Sequence, residues 1–152
     1  MFKFLEFMKS SSSPEEKEVP IVVCYVMYKG ELLLLERSAH VEFYRGWWNV
    51  VTGYWDGKIS IEARVRQKLL EELSVTSDVI KSIRVGEQYT CRHFVIEKDW
   101  SMHPVFIELM EKPPIHLSDQ HQAYRWVKPE QVKNFSVVPR VADGLHQLEL
   151  TH

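Results

Sequence analysis

Hydrophobic residues recur along this chain with two periods, and their order sketches a layered domain. From Val19 to Tyr28 most positions are β-branched or aromatic, Lys29-Gly30 supplies a turn, and Glu31 to Arg37 returns through Leu32 to Leu35. That is the pattern of a hairpin whose second strand is buried. Ser38 to Arg45 reads as a loop, and Gly46 to Gly53 as a short strand running into a glycine turn. Behind Ser60, a residue suited to the N-cap, Ile61, Val65, Leu69 and Leu73 recur every four residues, so a helix turns one stripe to a core. Its other face is charged: Arg64, Lys68, Glu71 and Glu72 are three and four apart and therefore neighbours. Strand-like stretches follow over Ile83 to Tyr89, Cys91 to Ile96, Val105 to Met110 and Tyr124 to Val127. A second helix is expected from near Pro139, with Val141, Leu145 and Leu148 inward. Strands on both sides of one central helix, with another helix at the end, give an α+β layered domain, with the strand pairing left open.

Composition narrows the picture. At 152 residues and 45% hydrophobic, the chain is expected to be one domain with a core that needs no staples. The apolar stretch Met1 to Lys9 is broken by Lys3 and Glu6, and Ser10 to Lys17 has linker composition. Residues 1–18 therefore read as a flexible leader rather than a signal peptide, with the domain over 19–150. A formal net charge of -2 gives no broad reason to bind nucleic acid or an acidic membrane, while a small anionic ligand remains compatible. No window approaches a membrane span. Cys24 lies in an apolar run and Cys91 beside Arg92, which makes neither a disulfide framework nor a metal knuckle, so a cytoplasmic protein is expected.

Gly53 through Val75 resembles the Nudix signature G-x5-E-x7-R-E-U-x-E-E-x-G-U, U being a bulky aliphatic residue, and the length matches without a gap. Gly53 takes the first glycine, Leu69 the aliphatic position, Glu71-Glu72 the paired acids and Val75 the closing aliphatic residue. Four positions depart: Ile59 for the first glutamate, Gln67 for arginine, Lys68 for the next glutamate and Ser74 for the second glycine. Around this segment, Trp48 to Gly53 looks like the strand that precedes the signature in the branch acting on dihydroneopterin triphosphate and deoxyadenosine triphosphate. Leu117 to Val127 resembles the family's later loop and strand, and the leading hairpin with Leu35-Glu36-Arg37 also fits. The resemblance spans about Val19 to Leu148. It implies a Nudix fold, a mixed sheet sandwiched between helices, and a hydrolase that splits a diphosphate linkage in a nucleoside triphosphate or a related nucleotide or pterin phosphate.

Such chemistry uses Mg²⁺ or Mn²⁺ to neutralise phosphate oxygens and orient water, and hard cations take carboxylate oxygens. The resemblance makes Glu71 and Glu72 the metal ligands and catalytic acids. It also shows what is lost. An ammonium at Lys68 cannot ligate a cation and repels it, and is expected to pair with Glu72 instead. Gln67 lacks the bidentate fork of arginine. Gln120 stands where relatives carry a further acid. The metal is therefore expected to be weakly bound or absent, and the alternative function is a catalytically impaired Nudix-fold protein that binds a nucleotide or serves as an interaction module. Glu62, Glu87, Glu97 and Asp99 are further acids that no spacing singles out.

Candidate substrate contacts are the aromatic residues Tyr44, Trp47 and Tyr54, on which a base or pterin could stack, and Arg92 and Arg125 for phosphate. Trp48 reads as packing, and His121 as a structural hydrogen-bonding residue at the entrance to a strand. Cys91, His93 and His103 have poor spacing for a metal site. Ser74 asks a non-glycine residue to end the helix, at some cost if it takes a positive φ. The expected partner is a small-molecule nucleotide or pterin phosphate, with a homodimer left open.

Overall fold

The computed structural model describes residues 18–92 and 99–149. Its sheet is built on β1 (Glu18–Tyr28), whose near-continuous apolar sequence suits a strand covered on both faces. Alternate side chains go to opposite sides: Val19, Ile21, Val23, Tyr25 and Met27 join one buried cluster, and Val22, Cys24 and Val26 the other. The turn at Lys29-Gly30 uses positive φ at both residues, 45° and 81°, and returns the chain into β2 (Glu31–Arg37) as the hairpin pattern requires.

The remaining strands are β3 (Trp48–Asn49), β4 (Val51–Tyr54), β5 (Ile80–Val85), β6 (Tyr89–Arg92), β7 (Asp99–Leu109) and β8 (His121–Val127). β7 runs parallel to β1, from Glu18 opposite Asp99 to Met27 opposite Glu108, and carries β5 and β6 antiparallel on its far edge. β8 pairs antiparallel with β2. The sheet is thus mixed. Among the described residues, helix α1 (Ile61–Leu73) covers one face and α2 (Pro139–Glu149) the other, the sandwich of helices expected from the resemblance.

The free edge of β1 is shared by two partners. Ile21 to Cys24 pair with β4, whereas Met27 and Tyr28 pair with β2. β2 in turn pairs with β3 at Leu35 and Glu36. The segment from Trp48 to Tyr54 therefore crosses from β2 to β1, and the sheet forks there. Gly53 corrects the sequence expectation: it lies inside β4, opposite Val22, and not in a turn. A glycine is needed for a different reason. A Cβ at Gly53 would come within 2.8 Å of both Cδ and Cε of Lys68, so the missing side chain is what lets the lysine stem cross the strand.

Helix α1 starts and stops as its sequence directs. Ser60 is the N-cap, and its hydroxyl accepts the Ala63 amide at 3.0 Å. Val65, Leu69 and Leu73 are buried, each stabilising the docked helix by roughly 2 kcal/mol. Ser74 ends it in the left-handed region (φ 58°, ψ 33°), with the Val75 amide on Leu69 O (3.2 Å) and the Ser74 amide on Leu70 O (3.0 Å). The bond from Ser74 to Leu70 is that of an αL ending, here at a serine, which bears the strain a glycine would avoid, and Val75 behind it is buried.

Of the other expected strands, Val105 to Met110 and Tyr124 to Val127 are present with different limits, whereas Ile83 to Tyr89 is broken at residues 86–88 between β5 and β6. Pro104 and His103 interrupt the apolar pattern, yet β7 begins at Asp99 because its backbone pairs with β1 along its length. Cys91 to Ile96 falls partly outside the described residues, as does the leader. In α2, Val141 is buried and Leu145 half-buried, while the Leu148 side chain is outside the described residues. No helix among the described residues is long and apolar enough to cross a membrane.

Candidate functional site

Glu72 is the centre of the candidate site. It is buried on the sheet side of α1, an unusual place for a carboxylate unless it is paired. Lys68, one turn earlier, brings Nζ to 3.2 Å from Oε2, and Ser118 Oγ donates to Oε1 at 2.7 Å. Burial alone would raise the Glu72 pKa; Lys68 and the Ser118 hydroxyl outweigh it and hold the carboxyl below its usual range. The Lys68 ammonium also lies 3.7 Å from Glu71 Oε1, but the side chain of Glu71 is 56% exposed and that of Glu72 only 9%. Of the two ion pairs, the inner one is shielded from water and the outer one is screened.

The segment after β7 closes the site. The Ser118 amide donates to Glu72 O at 3.2 Å and the His116 amide to Leu73 O at 3.0 Å, so this loop caps the end of α1 as well as the carboxylate. His121, at the start of β8, is buried with Nδ1 3.9 Å from Glu72 Oε1. Neither of its ring nitrogens has a hydrogen-bond partner, so it does not fill the hydrogen-bonding role expected of it. Burial pushes the imidazole down to about 4 against the pull of Glu72, with Arg37 and Lys68 adding to the depression. His121 is therefore neutral at pH 7.

The departures from the signature have distinct fates. Lys68 pairs with Glu72, as the charge pattern suggested. Gln67 is exposed and accepts from Arg64 Nη1 at 3.0 Å, while Arg64 Nε donates to Tyr54 O at 2.8 Å, so Arg64 ties the helix to β4. Ile59 is exposed in the loop before α1, where its carbonyl accepts from Trp55 Nε1 at 2.8 Å. Gln120 sits in the turn before β8, its carbonyl accepting the Ser38 amide at 2.8 Å. Cys24 lies under the helix near Lys68 and Arg64; burial drives its thiol up to about 12, the two cations opposing, which leaves it unreactive.

A divalent cation does not fit this arrangement. The inner carboxylate already faces an ammonium and a hydroxyl. Among the described residues, no group of three or more His, Cys, Asp or Glu side chains is placed to hold a metal ion. Asp99 is described in β7, where no such group includes it, and Cys91 and His103 likewise form none; His93 is outside the described residues.

The candidate substrate contacts fall elsewhere. Tyr44 and Tyr54 pack against the cluster on the α2 face, and Trp47 is exposed with its ring 5.1 Å from that of Tyr44. Tyr54 follows Gly53 in β4, and successive strand residues point to opposite faces, which separates it from Lys68. Arg125 pairs across from Leu34 and carries its guanidinium 5.7 Å from the Phe135 ring, also on the α2 face. The Arg92 side chain is outside the described residues. Trp48 is packing, as expected: its backbone bonds to Ser136 and Val138, and its ring meets Phe135 edge-on. The fork thus has an acidic site on one side and aromatic residues on the other.

Ser118, Arg37 and Arg140 were not singled out by sequence. Ser118 touches Glu72 across 46 positions, and no spacing rule reaches that far. Arg37 was visible only as the end of a hairpin, and Arg140 as the residue directly before the inward Val141.

Residues 17–148 match the sequence family described as the NUDIX domain. No protein of curated function matches the sequence. Among solved structures, the dihydroneopterin triphosphate pyrophosphohydrolase of E. coli aligns at TM-score 0.73 and 12% identity, covering 90% of this chain and 98% of the other. A C. elegans Ap4A hydrolase aligns at 0.68 and 18%, covering 88% and 96%, and a MutT protein from Methanosarcina mazei Go1 at 0.67 and 20%, covering 91% and 98%. At these identities the likeness is one of fold.

Proposed function

Since the chain belongs to the Nudix family, we propose that it binds a small ligand bearing a diphosphate, a nucleotide or pterin phosphate, and that it does so without metal-dependent hydrolysis. The observation that carries this reading is the Lys68 ammonium, 3.2 Å from Glu72 and 3.7 Å from Glu71. Placed about 4 Å from that ammonium, a divalent ion would meet repulsion on the order of 8 kcal/mol at the dielectric of a protein surface. The lysine itself offers phosphate a positive charge, and it needs no metal to do so. Similarly folded proteins named as a dihydroneopterin triphosphate pyrophosphohydrolase and an Ap4A hydrolase are consistent with a phosphoanhydride ligand.

A second reading, a divergent hydrolase of the same linkages using Mg²⁺ or Mn²⁺, draws on the two acids that remain. Glu72 is held ionised and Glu71 is open to solvent. Calorimetric titration with deoxyadenosine triphosphate and dihydroneopterin triphosphate, without metal and then with Mg²⁺ or Mn²⁺ and a phosphate and pyrophosphate release assay, separates the two. Binding without turnover is the expected result. Metal-dependent turnover that survives Lys68→Gln would establish the hydrolase in its place, and absence of binding would sink both.

A further inference from the structure

Among the described residues, Arg140 on the α2 face has no acid within ion-pair distance. Arg140 is the second residue of α2, and its backbone is pinned on two sides: Tyr89 Oη donates to its carbonyl at 3.1 Å, and Tyr25 Oη donates to the carbonyl of Val141 at 2.9 Å. Its side chain is not satisfied in the same way. Nε is shut off from solvent and has no hydrogen-bond partner. Among the described residues no carboxylate lies within ion-pair distance of the guanidinium, and Asp143, one turn further along α2, is exposed.

The four groups that act most directly on Arg140 add no negative charge. Tyr25, Tyr44, Tyr89 and Cys91 are its electrostatic neighbours. Burial keeps their protons on, raising Tyr44 and Cys91 and pushing Tyr89 up to about 12. Arg37 adds a charge of the same sign, burial and then Arg140 pushing it down to about 10, while Asp143, exposed on α2, acts on Tyr25, Tyr89 and Cys91. Both guanidinium groups remain charged at neutral pH. The residue as a whole is half-buried, but Nε is desolvated without a partner, which is costly, and a second cation in electrostatic range raises that cost.

The backbone here is strained as well. Tyr44 takes φ 56°, a left-handed conformation uncommon for an aromatic residue, in a loop tied to Arg37. Arg37 Nε donates to Phe43 O at 3.0 Å and Arg37 O accepts from Gly46 at 2.9 Å. Strain of this kind persists where surrounding contacts impose it, often where a ligand is held.

We propose that Arg140, with Arg37 beside it and Tyr44 and Tyr89 around it, forms an anion subsite separate from Lys68 and Glu72, taking a phosphate or carboxylate group. Two cations in electrostatic range of one another favour an oxyanion over the neutral acceptor edge of a base. The guanidinium supplies the paired donors, the tyrosines exclude water, and the ligand supplies the missing charge.

The test uses the full chain with inorganic phosphate, and separately acetate, each against chloride at matched ionic strength. Two readouts are followed: the Nε–Hε resonance of Arg140, assigned by its loss in Arg140→Lys, and the thermal midpoint. Phosphate or acetate should shift the resonance saturably and raise the midpoint in wild type and in Lys68→Gln, and the rise should be smaller in Arg140→Met, where Lys68 alone is left to take the anion. The stronger of the two anions identifies the ligand's acidic group. Arg140→Met should melt in chloride at or above the wild-type midpoint, because an apolar side chain replaces an unpaired charge. A resonance that neither anion moves overturns the proposal, and so does a response that Lys68→Gln abolishes and Arg140→Met keeps. Guanosine shifting the resonance where both anions fail overturns the anion class. Should Arg140→Met not fold, the wild-type resonance alone decides. An anion response at Arg140 in a protein that binds no nucleotide would sink the proposed function and leave this subsite standing.

Discussion

Lys68 holds its ammonium between the two motif acids, 3.2 Å from Glu72 Oε2 and 3.7 Å from Glu71 Oε1, and its stem reaches that point by crossing β4 at Gly53. A glycine in a strand, a lysine in a helix and a buried glutamate one turn later thus form one unit. The charge arrangement of the site follows from it.

Metal affinity should report on this unit. Calorimetric titration of the wild-type chain with Mg²⁺ should give millimolar affinity or none, since Glu71 and Glu72 alone offer few hard oxygens and Lys68 opposes the ion. Lys68→Glu removes the ammonium and adds a carboxylate one turn before Glu72, and should tighten Mg²⁺ binding by at least about tenfold. A tight stoichiometric site in wild type that disappears in Glu72→Gln would mean that another acid completes the cage.

Stability should fall in mild acid because of His121. Its imidazole titrates at about 4 in the folded chain against an ordinary value of 6.5, with burial as the main cause. Between those two values the unfolded chain binds the extra proton, so stability is full above pH 6.5 and is lost as pH falls toward 4, by on the order of 3 kcal/mol. Glu72, also held low, acts in the same direction below the ordinary carboxylate range. Urea denaturation at pH 7.5, 6 and 5 should show the slope, and His121→Phe should flatten it between 7.5 and 5. An equal slope in the variant would assign the effect to other groups.

How far the sequence foretold this site depends on the range of the contacts. Ser60, the Val65-Leu69-Leu73 stripe, the Lys68–Glu72 pair and the awkward ending at Ser74 are all contacts within a few residues along α1, and helical spacing is enough to read them. The division of the fork was not foreseen. Tyr54 was grouped with the site although it adjoins Gly53, and strand alternation sends the two to opposite faces once Gly53 is known to lie in β4. The turn reading of Gly53 hid that alternation. Ser118 on Glu72, and Tyr89 on the carbonyl of Arg140, join residues 46 and 51 apart. They exist only because the sheet order brings β6, β8 and the helices together, and no local pattern encodes them.

Gly53→Ala should separate the lysine from the glutamate without unfolding the chain. The added methyl would meet Cδ and Cε of Lys68 at 2.8 Å, and these belong to a flexible side chain that can move aside. Movement of the stem withdraws the ammonium from a carboxyl whose low pKa depends on it. The expected loss of stability is about 1–2 kcal/mol, from the strained contact and the weakened buried pair. The more specific sign is a rise in the Glu72 carboxyl pKa, read by carbon NMR. A pKa equal to wild type would show that Lys68 keeps its place and that the glycine has another purpose.

Ser74→Gly should stabilise the chain without touching ligand binding. Ser74 ends α1 at φ 58°, where a side chain crowds the backbone and glycine does not, and both hydrogen bonds that close the helix come from backbone amides that the substitution keeps. The serine side chain is exposed, and no hydrogen bond from its hydroxyl would be lost among the described residues. Against the relief of strain stands the extra freedom glycine gives the unfolded chain, which offsets part of it. The net gain should be about 0.5–1 kcal/mol, seen as a higher urea midpoint at unchanged slope. Ser74→Ala keeps the Cβ and should gain nothing, so the pair separates backbone strain from loss of the hydroxyl. If alanine and glycine stabilise equally, the strain at position 74 is not what limits this helix ending.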